Sequence, residues 1–147
     1  MFLLDTNHCS SAILGNLQVR DRLNRIGDGA IATCTIVESE LFDMAARSQQ
    51  RQANTDLVRH FLEGLYIYPL DDITAEVYGT LKAGIFARYA PKDKAQRRRT
   101  NLEQLGVGEN DLWIAAVVLQ HQLTLVTSDR DFRRIQAVEP FEMESWL

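Results

Sequence analysis

Four carboxylates in this 147-residue chain stand where an acid can do chemistry. Asp5 closes the apolar run Phe2-Leu3-Leu4. Glu40 lies three residues after Val37 and four before Met44, along the apolar stripe of a helical pattern, where an unsatisfied charge is costly. Asp111 opens the apolar segment Leu112–Gln120, and Asp129 comes two positions after the run Leu123-Thr124-Leu125-Val126-Thr127. Carboxylates gathered within a few ångströms repel and raise one another's pKa. A hard divalent cation such as magnesium removes that penalty, because it prefers oxygen ligands and takes a few carboxylates directly. Such a centre suits phosphodiester hydrolysis: the cation polarises the phosphoryl oxygen, lowers the pKa of the attacking water and stabilises the leaving oxygen, with no Ser or Cys nucleophile.

Each acid also has a plainer reading. Asp5 can be a turn or cap residue, Asp111 a helix cap, and Asp129 a strand-end turn residue, with Asp131 its nearest rival. Glu40 can be an edge residue paired with Arg47, while Glu38 points off the stripe toward solvent.

The elements that must position these acids follow from the pattern. Residues 2–4 read as a buried strand, followed by helical pieces near 8–15 and 17–26 and a break at Gly27-Asp28-Gly29. Residues 30–34 read as a second strand, and Thr35 can cap a helix running to about Arg51 whose apolar arc is Ile36, Val37, Leu41, Met44 and Ala45. A helix near 53–63 stops at Gly64, residues 65–70 form a third strand, and a helix runs from about Thr74 to Tyr89 before Pro91. Residues 91–109 read as a loop or mobile helix, Leu112–Gln120 as a helix buried on several sides, and 123–127 as a fourth strand. A last short strand or turn leads to Trp146. Alternating strands and helices predict a three-layer α/β/α fold with a mainly parallel central sheet and a single domain over 1–147. In such a sheet sites form outside the carboxyl ends of the strands, the end at which Asp5 and Asp129 fall.

Composition narrows the function classes. Two cysteines, Cys9 and Cys34, make no disulfide scaffold, and the three histidines show no zinc spacing. No apolar run reaches the roughly 18 residues of a membrane helix, and the start lacks the basic and long apolar parts of a signal peptide, so the expected location is the cytoplasm. The net charge of −4 argues against nucleic-acid binding until its distribution is seen. Between Arg88 and Arg99 six cations and one acid give a local balance of +5, which leaves −9 for the remainder. Lys92, Lys94, Arg97, Arg98 and Arg99 are therefore candidate nucleic-acid contacts, or else a solvated face.

The segments Leu3-Leu4-Asp5-Thr6-Asn7, Ile36-Val37-Glu38-Ser39-Glu40-Leu41, Asn110-Asp111-Leu112-Trp113-Ile114-Ala115-Ala116 and Leu125-Val126-Thr127-Ser128-Asp129-Arg130-Asp131-Phe132 together resemble PIN-domain proteins, most closely the VapC-type toxins of bacterial toxin–antitoxin pairs. The ending Phe141-Glu142-Met143-Glu144-Ser145-Trp146 resembles the same group. The resemblance implies a ribonuclease using magnesium or manganese. Asp5, Glu40 and Asp111 would be its core metal-binding acids and Asp129 the fourth, with Asn7 and Thr127 as hydrogen-bonding supports. It further implies an RNA substrate, a small VapB-type antitoxin and a homodimer. One departure is Met44-Ala45, where many relatives carry a glycine.

Other classes fare worse. A haloacid-dehalogenase-like phosphatase needs a second aspartate where this chain has Asn7, and no G-x-G-x-x-G follows the first strand for a dinucleotide. A PIN-like module that binds RNA or an antitoxin without cutting is the main alternative. His8, His60 and His121 have no part in a metal–water mechanism, although His8 is near enough to Asp5 in sequence to approach it.

Overall fold

The short apolar runs become one parallel sheet. In the computed structural model, which describes residues 1–147 apart from the side chain of Asp28, the strands are β1 (Phe2–Leu4), β2 (Ile31–Cys34), β3 (Tyr66–Tyr68), β4 (Thr124–Val126) and β5 (Met143–Glu144). They lie in the order β3-β2-β1-β4-β5, and every pairing is parallel, with Phe2 opposite Ile31 on one side and Thr124 on the other. Leu3, Leu4, the whole of β2, Leu125 and Val126 are buried. Parallel strands covered on both faces read as unbroken apolar runs, which is why no polar alternation marked them. The hydroxyl of Thr33, buried in β2, donates to the Leu4 carbonyl at 2.9 Å, so its burial leaves no orphan.

Strand order reverses at β1: β2 and β3 lie to one side, β4 and β5 to the other. The crevice beyond the carboxyl ends of β1 and β4 is thus a topological switch point, the position where open parallel sheets bind ligands.

The chain divides into two compact units. The first, Met1–Leu70 with Leu123–Ser128 and Glu142–Leu147, holds the sheet and the helices α1 (Thr6–Ile13), α2 (Leu17–Ile26), α3 (Thr35–Arg47) and α4 (Arg51–Glu63). Here α1 packs against α2, α3 and α4, and α3 against α4. The sequence reading needs several corrections. Helix α1 begins at Thr6 because Asp5 caps it. Thr35 is the first residue of α3, whose cap position is Cys34 without a side-chain bond. Helix α3 stops at Arg47 rather than Arg51, where the Ser48 hydroxyl turns back to the Ala45 carbonyl at 2.7 Å and accepts from Asn54 at 2.8 Å. Val37, Leu41 and Ala45 form the buried stripe, but Met44 is 47 % exposed.

The second unit, Asp71–Gln122 with Asp129–Phe141, holds α5 (Asp72–Tyr89), α6 (Lys94–Arg99), α7 (Glu109–His121) and α8 (Phe132–Gln136). Helix α5 runs along α7, and α8 packs on both. Leu112 and Ile114 through Val118 of α7 are buried, as its apolar pattern requires. Helix α5 starts two residues before Thr74, because Asp71 and Thr74 form a reciprocal capping box. The Thr74 amide and the Gln120 amide group hold the Asp71 carboxyl below its ordinary range. The stretch 91–109, expected to be a loop or mobile helix, contains α6 and a 3-10 turn at Glu103–Leu105. Helix α8 was not foreseen. Among the described residues no helix is long and apolar enough to cross a membrane.

Candidate functional site

Asp5 stands at the switch point. Its amide donates to the Val126 carbonyl at 3.1 Å, so the β1–β4 ladder carries the chain directly to this residue before α1 begins. Its side chain is the N-cap of α1: Oδ1 accepts the His8 amide at 2.8 Å, while His8 Nδ1 lies 2.9 Å from the same oxygen. Asp5 is only 4 % exposed, which is unusual for an aspartate. Both donors converge on Oδ1, so Oδ2 is engaged by neither. The plain reading as a cap therefore holds for this residue, and the cap bond occupies only one of its two carboxylate oxygens.

Glu40, in the second turn of α3, is half-buried, and its Oε2 accepts from the hydroxyl of Thr6, the residue next to Asp5. Arg47, the arginine that the plainer reading offered as an example of a partner, reaches Asp43 at 2.5 Å. The first unit therefore joins two of the four acids through one threonine. Two buried thiols register these charges. Burial first, then the Asp5 charge, pushes the Cys9 thiol far up. Burial raises Cys34 as well, the Val37 and Ile36 amides oppose that, and the Glu40 charge adds to it. Glu38, expected in solvent, is also half-buried.

In the second unit Asp111 lies in the first turn of α7, three residues past the cap position, which is Gly108 with no side-chain bond. A negative charge there is favoured by the helix dipole. Asp111 Oδ2 folds back over Gly108, where an added Cβ would sit 3.0 Å from it. The glycine is thus the room into which this carboxylate leans. Asp129 precedes α8, is half-buried and accepts the Asp131 amide on Oδ1 at 2.9 Å. Asp131 itself is exposed.

Of the supporting residues, Thr127 is 4 % exposed and its amide continues the β4–β5 ladder to the Glu144 carbonyl at 2.9 Å. Asn7 is exposed, and Thr6 is the hydroxyl that reaches Glu40. His8, close enough in sequence to approach Asp5, does so: it is completely buried against that carboxylate. The only signal was its spacing, three residues on from a strand-end aspartate.

Among the described residues no group of three or more His, Cys, Asp or Glu side chains forms a ready-made metal cage. The fit of a cation therefore rests on the individual donors. They are all carboxylate oxygens, one is deeply buried with an oxygen unengaged by its donors, and one leans over a glycine. That chemistry suits a hard divalent cation and not zinc or copper. The candidate RNA cations lie on or near α6: Lys92, Lys94, Arg98 and Arg99 are exposed, and half-buried Arg97 ties its Nε to the Pro91 carbonyl at 3.0 Å.

A five-stranded parallel sheet with a buried aspartate at its switch point defines an α/β protein of the open-sheet kind, with a second acid bonded to the residue next to that aspartate. Residues 2–138 match the family described as PIN domain, and the chain belongs to that family. It is 30 % identical over 145 residues to Ribonuclease VapC2 of Rickettsia felis, covering 92 % of each chain. Over 150 residues it is 27 % identical to Ribonuclease VapC2 of Haemophilus influenzae, covering 99 % of this chain and 98 % of that one. Among solved structures it is similar to a chain of the DNA-bound VapBC crystal structure from Salmonella typhimurium. The TM-score is 0.81 at 26 % identity, over 99 % of this chain and 98 % of that one.

Proposed function

We propose that this chain is a metal-dependent endoribonuclease and the toxin of a VapBC-type toxin–antitoxin pair. The observation that carries the reading is Asp5, a buried carboxylate at the strand-order reversal with Oδ1 doubly held and Oδ2 unengaged by those donors. Likeness to proteins named Ribonuclease VapC2 supports RNA as substrate, and likeness to a VapBC structure supports a VapB-type antitoxin as partner. Residues 1–147 act as one functional module, since the family match runs from 2 to 138 through both units. The site of action is the cytoplasm, and the active form is a homodimer.

Asp5, Glu40, Asp111 and Asp129 are the acids that would hold magnesium or manganese. A bound divalent cation would polarise the phosphoryl oxygen, lower the pKa of the attacking water and stabilise the leaving oxygen. The chain's own residues do the rest. Helix α1 pins Asp5 by its cap, Thr6 orients Glu40, and Gly108 gives Asp111 its room. Thr127 fixes the end of β4 through the strand ladder. The acids repel a polyanion, so exposed Lys92, Lys94, Arg98 and Arg99, with Arg97, supply the attraction for the RNA backbone.

The test is purified protein incubated with cellular RNA, with magnesium, manganese or a chelator, followed by sequencing of the RNA ends. Attack of water on phosphorus with the 3′ oxygen as leaving group predicts new 5′-phosphate and 3′-hydroxyl ends that vanish on chelation and on addition of the cognate antitoxin. Metal-independent cleavage to cyclic phosphates, or no cleavage with either metal, sinks the reading.

A further inference from the structure

The His8 ring enters the scheme above only as a contact of Asp5 Oδ1, yet it is wholly buried and bonded at both ring nitrogens. On one side Nδ1 lies 2.9 Å from Asp5 Oδ1; on the other, the backbone amide of Trp146 donates to Nε2 at 3.1 Å. A backbone amide can only donate, so the Nε2 lone pair must face it. The proton of the neutral ring therefore belongs on Nδ1, and Nδ1–H donates to the carboxylate. Trp146 fixes the ring plane too, with its indole edge-on to the imidazole at 6.4 Å between centroids. Trp146 is itself held: its indole packs edge-on to Phe2, Arg22 lies over it at 5.8 Å, and its Nε1 donates to Glu144.

We propose that His8 is a positioning residue for Asp5, and that the Trp146 amide sets its tautomer. The cap bond from the His8 amide alone leaves the carboxylate free to swing about that one contact. A second donor on the same oxygen fixes its plane and turns Oδ2 away from both. Hydrogen-bonded partners behind a metal-binding carboxylate typically change metal affinity or activity by about 10–100-fold when removed. The inference rests on Asp5 being a metal ligand, and it adds a relay from the segment that follows β5 to that ligand.

Two measurements test it. In wild-type protein labelled with 15N, long-range proton–nitrogen correlation of the imidazoles should show His8 with a protonated Nδ1 and a bare Nε2. The opposite tautomer overturns the proposal, whatever the variants do. Calorimetric titration with Mn2+ is then compared across wild type, Asp5→Asn, His8→Leu and His8→Asn. The asparagine amide can put an N–H near the position of Nδ1, so His8→Asn should bind within about threefold of wild type, while His8→Leu binds about 10–100-fold more weakly. His8→Asn as weak as His8→Leu, or His8→Leu as tight as wild type, refutes the positioning role. Wild-type affinity in Asp5→Asn would instead refute the ligand assignment. Should His8→Leu fail to fold, the wild-type tautomer and the His8→Asn affinity still decide.

Discussion

Replacing Asp5 separates its two duties, because asparagine can perform one of them and not the other. As an N-cap, asparagine is about as good as aspartate. Its Oδ1 can take both the His8 amide and the Nδ1–H, the contacts now made at 2.8 and 2.9 Å. Its Nδ2 then stands in place of Oδ2 and presents N–H groups where a cation needs an acceptor. Asp5→Asn should therefore change metal-free stability by less than about 1 kcal/mol, which reflects weakening of one charge-assisted bond. Asp5→Ala loses the cap, about 1 kcal/mol, and strands the buried His8 donor, about 1–3 kcal/mol more. For a chain of this size, about 2–4 kcal/mol lowers Tm by roughly 5–15 °C. Both variants forfeit a cation ligand; if that removes about 4 kcal/mol of transition-state stabilisation, cleavage falls about 10³-fold in each. The assay is thermal unfolding in chelator, paired with cleavage of a labelled RNA in magnesium. Equal activity loss with unequal stability loss is the expected pattern. A folded Asp5→Asn protein cleaving within tenfold of wild type would refute the ligand role, and an Asp5→Ala protein as stable as wild type would refute the cap and His8 account.

Changing Arg97, Arg98 and Arg99 to glutamine should cost about 0.5–1.5 kcal/mol of stability, for the lost Arg97–Pro91 bond, and reduce the slope of log affinity against log salt by about 2, at roughly 0.7 per single-strand phosphate contact; an unchanged slope clears α6 of RNA contact. Gly84→Ala puts a Cβ 2.5 Å from Val138 Cγ1 and should destabilise by about 1–2 kcal/mol. In a Val138→Ala background the same change should instead stabilise by up to about 1 kcal/mol through helix propensity, and urea midpoints that move the same way in both backgrounds contradict the clash. Cys9 and Cys34 have folded values raised above the ordinary 9.0. Below that value both folded and unfolded thiols are neutral; above it the unfolded thiols ionise first. Stability should therefore fall as pH rises past about 9, by up to about 1.4 kcal/mol per unit per thiol, and Cys34→Ala should show a shallower fall. Equal slopes would remove the thiols from the explanation.

The sheet and three of the four acids' settings were legible because they rest on local pattern. Apolar runs ending in Asp5 or followed by Asp129, and a glutamate on an apolar stripe, need only a few neighbours to be recognised. Helix ends were harder. No glycine or proline follows Arg47, and the stop is made by the Ser48 hydroxyl, a choice that the polar run Ser48-Gln49-Gln50-Arg51 does not advertise. Met44 fits the helical arc by spacing, yet faces outward, since α3 buries only the narrower stripe of Val37, Leu41 and Ala45. The Trp146–His8–Asp5 relay was invisible for a different reason: its members are 138 positions apart, and nothing local announces such a bond. Cap and catalytic ligand were also posed as alternatives for Asp5, when one oxygen can serve the helix and the other remain available.

The central strand has a consequence for synthesis. Phe2 lies opposite Thr124, so β1 is 122 positions ahead of one of its two partners. At about 5–20 residues per second, a ribosome delivers the second partner roughly 6–24 s after the first strand. Until then the Asp5 amide lacks the Val126 carbonyl, and His8 lacks the Trp146 amide for longer still. A nascent copy therefore passes most of its synthesis with the Asp5 carboxylate unanchored, and this end of the sheet takes its final form only once β4 and the segment after β5 have been made.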